Sequence, residues 1–344
     1  MSSENQSDVA GVTVGDVGER AVIALLTRAA GRARGSGTSA APEPGGDIVI
    51  GSGDDAAVID VGPTVISADT AVQDRHFRLD WSTPHQIGAR AVVASAADIA
   101  AMGGRTVGVL AAIACPQHTP VTLLTGLNAG IVDAAHGLSA RVLGGDLVAA
   151  DQILVTITAV GTLSGVEPVT LSGARPGDVL AVSGGLGAAA AGLAVLDAYG
   201  PAALGDWRRS EDPRAAVVGG FQVPAPDLAQ GPIAARAGAH AMTDISDGLV
   251  EELRTLAQSS GVLLDVTASA VPRLPELGAT AALLDADERE WVLTGGEDHH
   301  LLAAFAPGDV PPGWSSIGSV AAGGPGVRID GAPLSRLRGW QSFG

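Results

Sequence analysis

The chain has no lysine: all 20 basic residues among its 344 are arginine. That absence excludes a Walker A nucleotide loop, a Schiff-base enzyme and a kinase built on a strand lysine, since each needs an ε-amino group. Any phosphate bound here falls to arginine, backbone N–H groups or metal ions. Cysteine is nearly absent too, and the single Cys115 excludes both a disulfide framework and a cysteine-based metal site. Gly, Thr, Asp or Arg interrupts every apolar run well short of the roughly 20 residues a membrane helix needs. The start "MSSENQSDVAGVTVGD" is polar and acidic, without the basic-then-apolar order of a secretory signal. By elimination, a cytoplasmic location is expected. Positive charge is also scarce: a net charge of −17 leaves no basic face for nucleic acid.

With 46% hydrophobic and 17% charged residues, what remains describes a globular protein long enough for two domains. The spacing predicts helices over 18–34, 85–103, 121–138, 187–199 and 248–261. Between them, short runs such as "DIVIG", "AAVIDV", "TVISAD", "TVGVLAAIAC" and "VLAVSG" read as strands joined by glycine or proline turns. Residues 35–46 and 201–230 read as loops by composition, and 164–178 as a linker. The mixed order favours α+β or α/β, with α+β the expected fold class, in two αβ domains covering 1–165 and 166–344 with no internal repeat.

Acids recur where strands end in glycine turns: "GDD" (53–55), "SAD" (67–69), "GGD" (144–146), "TDISDGL" (243–249) and "GGED" (295–298). Asp98 adds one on a helix, in "SAADIAAMGG". Any one of these reads as a turn or cap residue. As a set, with small apolar flanks, they suggest convergence. Two unit charges ~4 Å apart repel by about 4 kcal/mol at an effective dielectric near 20, so converging carboxylates need cations. Oxygen-only ligands select Mg²⁺ or Ca²⁺ over zinc, and no Ca²⁺ hand loop is present. Mg²⁺ usually shares its positions with substrate phosphates, so the acids predict a phosphate-bearing ligand that arrives with metal.

In that order, "GSGDDAAV", "SAD" with "HF" following, "SAADIAAMGG", "GGD", "DISDGL" and "GGED" resemble the thiamine-monophosphate kinase family over roughly residues 18–343. That family shares a superfamily with aminoimidazole ribonucleotide synthetase, selenophosphate synthetase and a hydrogenase maturation protein. The resemblance implies Mg²⁺-dependent transfer of the γ-phosphoryl group of ATP to thiamine monophosphate, by direct in-line displacement. It also implies a homodimer whose N-terminal halves are ferredoxin-like and pair their sheets. Carried over, Asp55, Ser67, Asp69, Asp98, Asp146, Asp244 and Asp247 are expected Mg²⁺ ligands for several ions. Gly145, Asp146 and Ser246 are expected at ATP, and His76, Glu297 and Trp340 at thiamine monophosphate. No side chain is expected to act as base or nucleophile. The sequence departs from the family at Ala68, usually threonine, at Leu171, often arginine, and at His299-His300 where "YE" is usual; Arg175 replaces a lysine.

Two other readings compete. One is a different ATP-using enzyme of the superfamily, such as aminoimidazole ribonucleotide synthetase. The other is a non-catalytic Mg²⁺–nucleotide module, suggested by Ala68 and Leu171. Outside these motifs, "SGGLGAAAAG" (183–192) mimics a dinucleotide fingerprint but reads better as tight helix–strand packing. Cys115 reads as a small core residue. His299-His300 reads as a surface or strand-edge pair.

Overall fold

The computed structural model describes residues 11–32, 47–50, 56–163, 165–334 and 337–340. It is a mixed α+β protein with three sheets among these residues. The chain divides into two compact units, Met1–Ser95 with Thr106–Thr162, and Ala96–Arg105 with Leu163–Gly344. Asp54 and Asp55 lie outside the described residues.

The first unit contains α1 (Val14–Val17), α2 (Glu19–Arg32), β1 (Ile48–Ile50), β2 (Val58–Ile59) and β3 (Thr64–Val72). They are followed by α3 (Pro84–Ala101) and β4 (Arg105–Cys115), whose residues Ala96–Arg105 belong to the second unit, and by α4 (Val121–Gly137), β5 (Arg141–Ala149) and β6 (Leu154–Thr162). Four strands form one sheet in the order β3-β6-β4-β5, with β3 antiparallel to β6 and β4 parallel to β5. β-Branched residues Thr64, Val65, Ile66, Thr70 and Val72 make β3 a strand. Its alternation turns Ser67 and Asp69 to one side and Ile66, Ala68 and Thr70 to the other. α4 buries Val121, Leu124, Leu127, Ile131 and Ala135, a helical stripe. It crosses α3 with little clearance: a Cβ on Gly88 would sit 2.0 Å from the Leu127 carbonyl oxygen, and one on Gly130 1.9 Å from that of His85. Cys115 is 2% exposed, as a core residue should be, and burial pushes its thiol pKa up. On the sheet's other side the Thr70 and Thr156 hydroxyls pair at 2.8 Å, and the large apolar side chains of Ile66, Leu110 and Val148 stand exposed.

The second unit runs β7 (Val179–Val182), α5 (Ala188–Tyr199), α6 (Leu204–Arg209), α7 (Pro213–Gln222), α8 (Gln230–Arg236), β8 (Ala241–Asp244), α9 (Leu249–Ser260) and β9 (Leu263–Val266). α10 (Glu276–Leu284), α11 (Glu288–Thr294), β10 (Leu301–Phe305), β11 (Ser315–Ala321), β12 (Gly326–Ile329) and β13 (Ala332–Pro333) complete it. Its sheet has the order β13-β12-β9-β11-β7-β10-β8. The pairings are antiparallel apart from β12 with β9. β10 is buried along its whole length, and α9 is amphipathic, burying Leu249, Val250, Leu253, Leu256 and Ala257.

Residues 201–230, expected as loops, instead hold α6 and α7. The reason is local and legible. Asp212 caps α7 by accepting the Arg214 N–H at 3.0 Å, and Pro213 occupies the first helical position, where no N–H is needed. Val217, Val218 and Phe221 then form a buried stripe that packs on α5. Pattern outweighed composition here.

Among the described residues, no helix is long and apolar enough to cross a membrane.

Candidate functional site

In the second unit, β8 ends at Asp244, and the turn after it carries Ser246 and Asp247. The segment Glu297–His300 runs beside this turn through backbone hydrogen bonds. The Glu297 N–H donates to Ser246 O at 2.7 Å, the His299 N–H to Ile245 O at 2.9 Å, and the Ile245 N–H to His300 O at 2.8 Å. To fit there, Glu297 and His299 take left-handed backbone, with φ of 68° and 56°. Non-glycine residues rarely adopt it, and such strain gathers at functional sites. The C-terminal segment joins the same place: the Trp340 N–H donates to Asp247 O at 2.9 Å, and the Gly339 N–H to a Glu251 carboxylate oxygen at 2.8 Å. Trp340 is half exposed, leaving a ring face available.

The paired histidines are not a surface pair. His299 is 4% exposed. Its Nδ1 lies 3.1 Å from Asp244 Oδ2 and its Nε2 3.5 Å from Glu297 Oε2. Burial alone would lower its pKa, but the hydrogen bond to Asp244 and the charges of Asp244 and Glu297 outweigh that and push it up to about 10. His300 is half-buried, and burial first, then the charge of His299, brings it down to about 4. The cause is the fully buried strand that follows: β10 draws its leading residues inward.

Like charge accumulates around this turn. Burial, then the charges of Glu297 and Asp244, raise the pKa of Asp247. Burial also lifts Glu252 to about 7, although its carboxylate accepts the Asp247 N–H at 3.2 Å. Sequence reasoning did not single out Glu252, whose place in "GLVEEL" marks only a polar helix position.

In the first unit, Asp69 faces α3. The Ser95 hydroxyl lies 2.9 Å from Asp69 Oδ2 and 2.8 Å from Ile157 O, and it accepts the Asp69 N–H at 3.2 Å. Ser67 shares this side of β3. Asp98, on the part of α3 that belongs to the second unit, is half-buried. His76 sits in the turn after β3, its Nδ1 accepting the Val72 N–H at 3.1 Å; the neutral ring therefore carries its proton on Nε2. Asp146 lies on the other side of the sheet from Asp69. It lines an open cavity with Leu110, Ala112 and Thr158, into which α2 brings Arg20 and Arg28. Gly145 beside it can be nothing larger, because a Cβ there would lie 2.0 Å from the Ala111 carbonyl oxygen.

The donors suit a hard divalent cation: every expected ligand is an oxygen, and the charge raising Asp247 is the repulsion such a cation relieves. Among the described residues, however, no three Asp, Glu, His or Cys stand close enough to hold an ion by themselves.

The glycine pattern at 183–192 is closed to phosphate. Asp298, 4% exposed, accepts the N–H groups of Gly187 at 2.6 Å and Ala189 at 3.0 Å, filling the start of α5 with the chain's own anion. Burial raises this carboxyl to about 6 despite those donors.

A family model described as "AIR synthase related protein, N-terminal domain" matches residues 53–163. A thiamine-monophosphate kinase of Mycobacterium tuberculosis H37Rv is 43% identical over 300 residues, covering 86% of each chain. The chain belongs to the thiamine-monophosphate kinase family. A family member from Corynebacterium glutamicum is 39% identical over 340 residues, spanning 97% of this chain and 96% of that one. Among solved structures, AaThiL complexed with AMPPCP and TMP superposes with a TM-score of 0.74 at 27% identity, covering 84% of this chain and 91% of that chain.

Proposed function

We propose that this kinase moves the γ-phosphoryl group of ATP to thiamine monophosphate, giving thiamine diphosphate and ADP by direct in-line displacement. The observation that carries the reading is the second-unit turn, where Asp244, Asp247, Glu297 and the Trp340 backbone are laced together. The AaThiL complex, which holds AMPPCP with TMP, supports both ligands.

The acceptor is a phosphate monoester whose second pKa lies near 6, so at neutral pH it is already a dianion and needs no general base. The obstacle is repulsion between two anions inside a protein of net charge −17. In this reading Ser67, Asp69, Asp98, Asp146, Asp244 and Asp247, with Asp55 beyond the described residues, hold Mg²⁺. The metal would supply charge neutralisation of the phosphates and the developing transition state. Gly145, Asp146 and Ser246 bind ATP, and Arg20 and Arg28 supply cations in the Asp146 cavity. His76 and Glu297 orient thiamine monophosphate, and Trp340 covers the cationic thiamine ring by cation–π contact.

The same reading takes residues 1–165 as a ferredoxin-like nucleotide-binding and dimerising domain and 166–344 as its αβ companion, in a cytoplasmic homodimer. The exposed Ile66, Leu110 and Val148 support a sheet face covered by a second copy. Ile66→Asp is expected to shift the protein from dimer to monomer in light scattering coupled to size exclusion. An unmodified chain that is monomeric at micromolar concentration overturns the dimer.

The deciding experiment is product analysis from ATP, Mg²⁺ and thiamine monophosphate, with thiamine as control. One ADP per thiamine diphosphate, and neither from thiamine, is expected. ATP binding without ADP release would instead mark a non-catalytic module.

A further inference from the structure

We propose that His299 is a positioning residue for thiamine monophosphate, holding the Glu297 carboxylate where the substrate meets it. This rests on the functional reading above, in which Glu297 contacts the substrate.

The Glu297 side chain is 39% exposed, whereas that of His299 is 5% exposed. A half-exposed glutamate has three rotatable side-chain bonds, and each contact on its carboxylate narrows the rotamers it samples. His299 is an anchor that cannot itself move. Burial fixes the ring, and its Nδ1 is tied to Asp244 Oδ2 at 3.1 Å. Its Nε2 is buried without a hydrogen bond and lies 3.5 Å from Glu297 Oε2, an ion-pair distance. The main chain enforces the same arrangement, because both residues take left-handed φ values and both N–H groups donate into Ile245 and Ser246. The ring thereby links the end of β8 to the Glu297 carboxylate. A core histidine packed only for stability would need no second acidic neighbour on the far side of its ring.

The test combines His299→Leu and His299→Gln with Glu297→Ala in double-mutant cycles. Readouts are steady-state kinetics, calorimetric binding of thiamine monophosphate, and melting temperature. His299→Leu is expected to weaken thiamine monophosphate, in KM and in Kd, by about tenfold while the KM for ATP changes less than about twofold. Made in the Glu297→Ala background, the same change is expected to add less than about twofold, since there is no carboxylate left to position. His299→Gln, which retains one donor, recovers part of the loss and serves if the leucine variant does not fold. Parallel rises in both KM values, or an undiminished effect without Glu297, would show a purely structural histidine and overturn the inference. If the unmodified enzyme forms no thiamine diphosphate, the functional reading itself fails, which is a different result from a normal enzyme indifferent to His299.

Discussion

Asp69→Ala is expected to lower turnover of ATP and thiamine monophosphate by about a thousandfold or more, with the melting temperature moving only a few degrees. Asp69 lies on the α3 side of β3, where the Ser95 hydroxyl donates to its carboxylate at 2.9 Å. That bond aims the side chain without needing its full charge, so the loss on truncation should fall on chemistry rather than on folding. Asp69→Asn separates the two roles. The amide oxygen still accepts from Ser95, yet a neutral group no longer balances a divalent cation, so a loss of about a hundredfold is expected. Ser95→Ala, which frees the carboxylate to rotate and also removes the acceptor of the Asp69 N–H, should cost about tenfold or less. Steady-state rates across a Mg²⁺ titration check all three. Near-normal turnover in Asp69→Ala would remove the aspartates from the mechanism.

The second large effect is on stability. Asp298→Ala leaves the Gly187 and Ala189 N–H groups buried without their acceptor, and α5 has no other side-chain cap. Losing a cap costs about 1 kcal/mol, and stranding a buried donor about 1–3 kcal/mol, so a total of about 2–4 kcal/mol is expected. In calorimetry that corresponds to a melting transition roughly 5–10 °C lower. The deficit should also depend on pH. Burial raises the Asp298 carboxyl to about 6, above its ordinary 3.8. The native state therefore holds this proton more tightly than the unfolded chain does. The stabilisation is fully present below about pH 4 and is lost as pH rises through 6, by on the order of 2–3 kcal/mol. The gap between unmodified protein and Asp298→Ala is accordingly expected to be wider at pH 4 than at pH 7. A gap that widens with pH would mean that the N–H groups outweigh burial and the carboxyl is held ionised.

Several parts of the site are written locally. The strings "TDISDGL" and "GGED" each carry an acid beside a glycine turn, and the structure runs the two turns side by side. Other parts depend on contacts that no local pattern encodes. Asp298 caps a helix whose start lies 111 residues earlier, so "GGED" pointed to its glutamate and hid the role of its last residue. Ser95 looks like one small residue among many in "VVASAADIA" until β3 and α3 are packed together. The polarity of the histidine pair suggests the surface or a strand edge; the pair does lead directly into β10, but that buried strand draws His299 inward. The helix at Pro213–Gln222 is the opposite case, since its Asp-Pro start is visible in the sequence while its composition suggests a loop.

The left-handed turns at Glu297 and His299 limit how this protein can diverge. Glutamate and histidine already bear the cost of about 1–2 kcal/mol that a Cβ meets in that conformation, and a valine or isoleucine would add to it through the second branch at its Cβ. Stereochemistry of the main chain thus screens mutations here ahead of selection on catalysis, and lineages carrying this loop have few neighbouring sequences into which they can drift.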